Sequence, residues 1–293
     1  METRPIEGGF GVEITAGLDV LNPLSAKQIN EIDVLMDEHS LVLIRNQPMT
    51  VDEQLTWTRQ FGPLDLGFKK VIAKGGEKQK YDEIGDISNL SKDGKPAART
   101  DKRILNNIAN QMWHSDSSFQ KPAAKYSMLH SVRNPSWGGQ TQYADLKAAY
   151  DALDERTKAF LDDKIAEHYA LHSRFLIGDD SYNEEQKAAI APAYWPVVRQ
   201  NPRTGRKHLF IGVHARSIEG MTVPEGRMML LDLLEHATKG EFTYLHEWQV
   251  GDTMIWDNRA TLHRGRAFDL DEPRELRRTT TLDDKAPELR LAS

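Results

Sequence analysis

Apolar residues recur at helical spacing early in the chain. Ile29, Ile32, Leu35 and Met36 follow Ser25 and Gln28, which stand three residues apart as in a capping box. This pattern predicts a helix over 26–38. A continuous apolar run, Leu41-Val-Leu-Ile44, predicts a short buried strand. Thr50 and Glu53 repeat the capping box and predict a second helix, ending at Phe61 before Gly62-Pro63. The pattern then fades over 64–112. Within it, 74–102 is rich in Gly, Lys and Asp, and reads as a long mobile loop. It is either a lid or binding loop over a site, or a solvated insertion.

Periodicity returns at 145–161, which predicts one or two short helices. Strands are predicted at 194–198 and 208–213, with Asn201-Pro-Arg-Thr-Gly205 as the turn between them. Pro224 opens a helix that continues to His236 and that Gly240 stops. Phe242, Tyr244, His246, Trp248 and Val250 alternate like a half-buried strand. Gly251-Asp252 turns the chain into a strand at 253–256, and a last strand is predicted over 274–281. No repeat, low-complexity tract or proline-rich linker divides the chain, so 1–293 is expected to be one domain. Strands interrupted by helices suggest a mainly β architecture, a barrel or jelly roll with flanking helices outside.

Composition narrows the function. The chain has 293 residues, 39% of them hydrophobic, which excludes a wholly disordered protein. A net charge of −6 argues against a nucleic-acid binder. With 0 Cys there is no disulfide, no thiolate nucleophile and no zinc finger, so any metal must be held by His, Asp or Glu. The N-terminal segment lacks the basic-then-apolar pattern of a leader, and no apolar run spans a bilayer. The expectation is a cytoplasmic protein with no membrane partner.

The densest chemical signal is Asn110-Gln-Met-Trp-His114-Ser-Asp116. In an extended segment, residues i and i+2 point the same way, so His114 and Asp116 can share a cavity. His263 follows 149 positions later, behind Trp256-Asp-Asn-Arg259. Two His and one carboxylate form the facial ligand set of non-haem Fe(II) oxygenases, and the same set suits hydrolytic zinc. Arg274-Glu-Leu-Arg-Arg278 reads as extended, with Arg274, Leu276 and Arg278 on one face and Glu275 and Arg277 on the other. Two inward guanidiniums near a metal suit two anionic ligands. A salt-bridged edge strand is the plainer reading of the same five residues.

Taken together, His114-x-Asp116, His263 and Arg274 resemble the 2-oxoglutarate-dependent Fe(II) dioxygenases of the taurine dioxygenase type. The resemblance extends to 41–45 with Gln47-Pro48, to Phe61-Gly-Pro63, to Gly138-Gly-Gln-Thr141, to Ala148-Ala-Tyr-Asp-Ala-Leu153 and to the 256–264 block. Segments 113–119, 167–175, 230–238 and 274–284 are similar to family members that act on phenoxyacetates. The resemblance implies a double-stranded β-helix, a cupin-like jelly-roll barrel. It implies Fe(II) on His114, Asp116 and His263, and 2-oxoglutarate held by Thr141 and Arg274. Dioxygen is the co-reactant and ascorbate a stimulant. Arg278 is implied to bind the substrate's anionic group, with Lys70 and Asn110 as further substrate residues. His168, His172, His214 and His246 are given no role. The implied partner is a small anionic aromatic acid whose ether methylene is hydroxylated. An alkylsulfonate, a 2-aryloxypropionate or a cinnamate-like acid is the alternative. A homo-oligomer is also implied. A zinc hydrolase and a non-catalytic anion-binding barrel are the competing classes.

Overall fold

A computed structural model of the protein describes residues 1–66, 81–179 and 181–284. In chain order its strands are β1 (Glu2–Pro5), β2 (Val12–Ala16), β3 (Leu41–Ile44), β4 (Gly85–Ser88), β5 (Ala124–Arg133), β6 (Thr141–Asp145), β7 (Ile165–His168), β8 (Ala193–Pro196), β9 (Val198–Gln200), β10 (Lys207–Leu209), β11 (Ala215–Ile218), β12 (Thr243–His246), β13 (Thr253–Asp257), β14 (Thr261–Gly265) and β15 (Glu275–Leu282). A large sheet runs in the order β1-β2-β3-β13-β5-β15-β4, and a small one runs β12-β6-β14.

Alternation along the large sheet sorts its side chains onto two faces. Val42, Ile44, Tyr126, Met128 and Ile255 point outward, against Ile32 and Met36 of α1 (Ala26–His39) and Trp57 of α2 (Val51–Arg59). Ile32 and Met36 are fully buried there, and each such burial contributes about 1.5–3 kcal/mol. Leu41, Leu43, Leu129, Met254, Trp256 and Leu276 point inward. They share one apolar cluster with Tyr143 and Tyr244 of the small sheet. The two sheets therefore pack face to face through these residues.

Both capping boxes form as predicted, at Ser25–Gln28 and Thr50–Glu53. The 145–161 segment is two helices, Leu146–Asp151 and Glu155–Leu161, each started by an aspartate cap. Some boundaries differ. The helix Val223–Ala237 ends on Thr238, and Gly240 instead opens a short 3₁₀ turn. The strand expected over 242–250 stops at His246, because the Asp252 carboxylate gathers His246, Arg45 and the Gln249 amide into a turn. The strand expected over 208–213 ends at Leu209. Beyond it the Val213 amide donates to the Trp113 carbonyl (2.9 Å), carrying the chain past His114. Nor is 74–102 structureless where it is described. β4 pairs with β15, and α3 (Lys102–Ala109) follows. The lid expected within 64–112 falls partly on 67–80, outside the described residues. Among the described residues, no helix is long and apolar enough to cross a membrane.

Several histidines are buried without charge. Burial, aided by Arg199, lowers His168 to about 3 and His208 to about 4; burial and Arg277 lower His130 to about 4. An unfolded histidine titrates near 6.5, so between that value and about 4 the unfolded chain holds more protons than the folded one. Stability is therefore complete above about 6.5 and declines as the pH falls. The thermal midpoint is expected to be flat from pH 8 to 7 and to fall steeply from 6.5 to 4. A flat midpoint over that range would show that these imidazoles are not neutral in the fold.

Candidate active site

His114 and His263 are brought together by their own backbones. The His114 amide donates to the His263 carbonyl (3.0 Å) and the His263 amide returns the bond (2.9 Å), so the two imidazoles sit with ring centroids 4.1 Å apart. His114 Nδ1 lies 2.8 Å from the Met112 carbonyl, an acceptor, so Nδ1 carries the proton and Nε2 keeps its lone pair. Asp116 reaches the same point from a segment tied to the turn after β13. Its amide donates to Asn258 Oδ1 (3.1 Å), which also accepts from Trp256 Nε1 (2.9 Å). Asn258 Nδ2 donates to Ser127 Oγ (2.8 Å), and Ser127 donates to Asp116 Oδ2 (2.7 Å). That oxygen is 3.7 Å from His263 Nε2.

One ligand atom from each of His114, Asp116 and His263 lies within 4.8 Å of the others, and all three residues are buried. Burial pushes the Asp116 carboxyl up, but Arg278, the two histidines and the Ser127 hydroxyl outweigh it and hold it down at about 2. Burial lowers both histidines, so at neutral pH the set is one carboxylate and two neutral imidazoles. These are the protonation states that metal binding requires.

Arg274 is buried in the same cavity. Nη1 donates to the Ile87 carbonyl (3.2 Å) and Nη2 to the Gly139 carbonyl (3.1 Å), while the guanidinium lies 5.0 Å over Phe268. Its Nε has no hydrogen-bond partner among the described residues. Burial lowers this guanidinium to about 10, with Tyr143 pulling the other way, so it remains a cation at neutral pH. No carboxylate of the described residues offsets that charge, which is costly without an anionic ligand. Thr141 lines the cavity, and its Oγ1 accepts from Trp248 Nε1 (3.0 Å).

A cavity of about 230 Å³ unites His114, His263, Thr141, Asn110, Arg274 and Arg278. Its remaining wall is largely apolar, from Ile87, Leu129 and Phe268 to Ile104 and Ile108 of α3. Arg278 hydrogen-bonds Asp116 Oδ1 through Nη1. As the alternation predicted, Arg274, Leu276 and Arg278 share the inner face, while Arg277 sits on the outer face and bonds the Met49 carbonyl. Lys70 lies outside the described residues.

The four histidines given no role divide. His168 stacks on Phe210 and His246 pairs with Asp252. His172 is half-buried. His214, however, sits beside the site, its ring 6.4 Å from that of His114 and edge-on to it. Ser127, Asn258 and Trp248 were not anticipated. Asn258 carried a signal, as a polar residue between Trp256 and His263; Ser127 and Trp248 carried none.

The chain matches the taurine catabolism dioxygenase TauD, TfdA family over residues 2–280. It is 52% identical over 267 residues to the alpha-ketoglutarate-dependent 2,4-dichlorophenoxyacetate dioxygenase of Cupriavidus pinatubonensis, covering 91% of this chain and 93% of that one. It is 31% identical over 299 residues to the (S)-phenoxypropionate/alpha-ketoglutarate-dioxygenase of Sphingobium herbicidovorans, covering 99% and 98%. Among solved structures, AAD-2 in complex with Mn(II) and N-oxalylglycine superposes with a TM-score of 0.88 at 38% identity, over 96% of this chain and 97% of that one.

Proposed function

The chain belongs to the TauD/TfdA family of 2-oxoglutarate-dependent Fe(II) dioxygenases, and from that premise we propose that it hydroxylates the ether methylene of phenoxyacetates such as 2,4-dichlorophenoxyacetate. His114, Asp116 and His263 hold the iron, and the donor set fits it: three buried ligand atoms in their metal-binding protonation states. Arg274 and the Thr141 hydroxyl hold the distal carboxylate of 2-oxoglutarate. The observation that carries this reading is the buried Arg274 cation, without a carboxylate partner among the described residues, in the same cavity as His114 and His263. A hydrolytic zinc site has no use for it. The large and small sheets are read as the two halves of a double-stranded β-helix, within one catalytic domain.

Bound Fe(II), with 2-oxoglutarate and dioxygen, supplies the oxidising chemistry and releases succinate and carbon dioxide. The protein's own residues position the second acid. Arg278 holds the substrate carboxylate, aided by Asn110 of the same cavity wall, and the apolar wall receives the aryl ring and excludes water. A carboxylate fixed at Arg278 places the adjacent methylene close to the His114–Asp116–His263 face. A hydroxyl added there gives a hemiacetal. Its carbon–ether oxygen bond breaks, the phenol departs with a proton, and the carbon chain leaves as glyoxylate. The same cavity chemistry suits a 2-aryloxypropionate or an alkylsulfonate.

The test is release of succinate and phenol from 2,4-dichlorophenoxyacetate with Fe(II), ascorbate and 2-oxoglutarate present, each omitted in turn. Matched release of both products is expected, lost without iron or 2-oxoglutarate and reduced without ascorbate. Succinate without phenol would transfer the chemistry to another acid. Neither product from folded, iron-loaded protein would overturn the reading.

A further inference from the structure

Arg278 occupies two roles that are separate for Arg274. It lines the cavity that the anionic substrate enters, with 28% of its side chain exposed, and its Nη1 is bonded to Asp116 Oδ1. The other carboxylate oxygen of Asp116, Oδ2, accepts from Ser127 and faces His263 Nε2. The two oxygens are therefore divided, Oδ2 toward the ligand cluster and Oδ1 toward a guanidinium. A cation fixed one carboxylate away from a divalent metal opposes that metal, and an anion that neutralises the cation removes the opposition.

We propose that Arg278 couples substrate to metal: its charge against Asp116 weakens metal binding until an anionic substrate takes up that charge. The inference rests on the reading of His114, Asp116 and His263 as the metal site. Coupling is reciprocal, so bound metal must tighten the acid by the same factor that the acid tightens the metal. Arg278 has no other side-chain partner among the described residues and already faces the cavity, so an incoming carboxylate meets it without rearrangement of the sheet. Ser127 and Asn258 keep Asp116 in place meanwhile.

The experiment measures Mn(II) affinity, by the electron paramagnetic resonance signal of free Mn(II), in the wild type, Arg278→Gln, Arg278→Lys and Asp116→Ala. Each is titrated alone, with saturating 2,4-dichlorophenoxyacetate, and with the neutral 2,4-dichlorophenoxyethanol. The acid is expected to tighten Mn(II) on the wild type by about 5- to 20-fold, and the alcohol to leave it unchanged. Without acid, Arg278→Gln is expected to bind Mn(II) at least about fivefold tighter than the wild type, and Arg278→Lys, which keeps the charge, to stay close to it. In Arg278→Gln the effect of the acid shrinks below about twofold. Mn(II) binding to Arg278→Gln no tighter than to the wild type, or an undiminished effect of the acid in that variant, overturns the coupling. The metal-only comparison decides it even if the acid fails to bind, which would count against the substrate reading instead. Unchanged Mn(II) affinity in Asp116→Ala would overturn the metal site itself and the coupling with it.

Discussion

Asp116→Ala is expected to abolish turnover, lowering succinate release by at least about 10³-fold, beyond the 10–100-fold that losing an outer partner of a metal site costs. Asp116 is the one anionic member of the proposed ligand set. Without it, two neutral imidazoles face a divalent cation beside an Arg278 whose carboxylate has gone. The fold should survive. Arg278 is partly exposed and can hydrate, while Ser127 keeps Thr280 (2.9 Å) and Asn258 as partners. The thermal midpoint is therefore expected to move by only a few degrees as the activity disappears. Ser127→Ala makes the useful contrast. It keeps all three ligands but releases Asp116 Oδ2, and should cost about 10–100-fold. Succinate release within tenfold of wild type from Asp116→Ala, at saturating iron, would remove this residue from the metal site.

What the chain alone disclosed follows from where each signal resides. The capping boxes and β3 are local features, and they were legible because their partners lie within a few residues. β5 is the longest strand of the large sheet's centre, yet it was missed. Its inward positions include Ser127 and Ser131 and its outward ones include His130, so the apolar alternation that marks a half-buried strand is broken. Ser127 donates to Asp116, so a residue that supports the proposed site is one that hides the strand. β4 is four residues on an edge, too short for a period. At the site, His114 and Asp116 were visible as an i, i+2 pair, and the alternation of Arg274, Leu276 and Arg278 correctly placed two guanidiniums on one face. The meeting of His114 with His263 was not visible from spacing. It depends on a backbone bridge between distant segments, and only the family resemblance joined them. The bonds of Trp248 to Thr141 and of Arg278 to Asp116 likewise exist only once β12, β6 and β15 are packed.

Arg274→Lys is expected to raise the KM for 2-oxoglutarate by about 10²-fold or more, while kcat at saturating 2-oxoglutarate stays within tenfold and the KM for the acid changes little. Truncating one partner of a buried, hydrogen-bonded charge pair costs about 2–5 kcal/mol, and this guanidinium is buried without any carboxylate of the described residues to share its charge. A lysine keeps the charge but not the fork. The Ile87 and Gly139 carbonyls now anchor both terminal nitrogens of Arg274, and a single ammonium cannot satisfy both and still grip a planar carboxylate. A loss confined to KM follows because the distal carboxylate is remote from the reacting carbon and is held equally before and during the reaction. Arg278→Ala should show the opposite division, raising the KM for the acid far more than that for 2-oxoglutarate. Thr141→Val should shift the same parameter as Arg274→Lys by a smaller factor, since it removes one neutral hydroxyl already shared with Trp248. Steady-state kinetics with each of the two acids varied separately checks both arginines. Equal effects on the two KM values from either variant would mean that one guanidinium does not serve one acid, and the assignment of Arg274 to 2-oxoglutarate and Arg278 to the substrate would fail together.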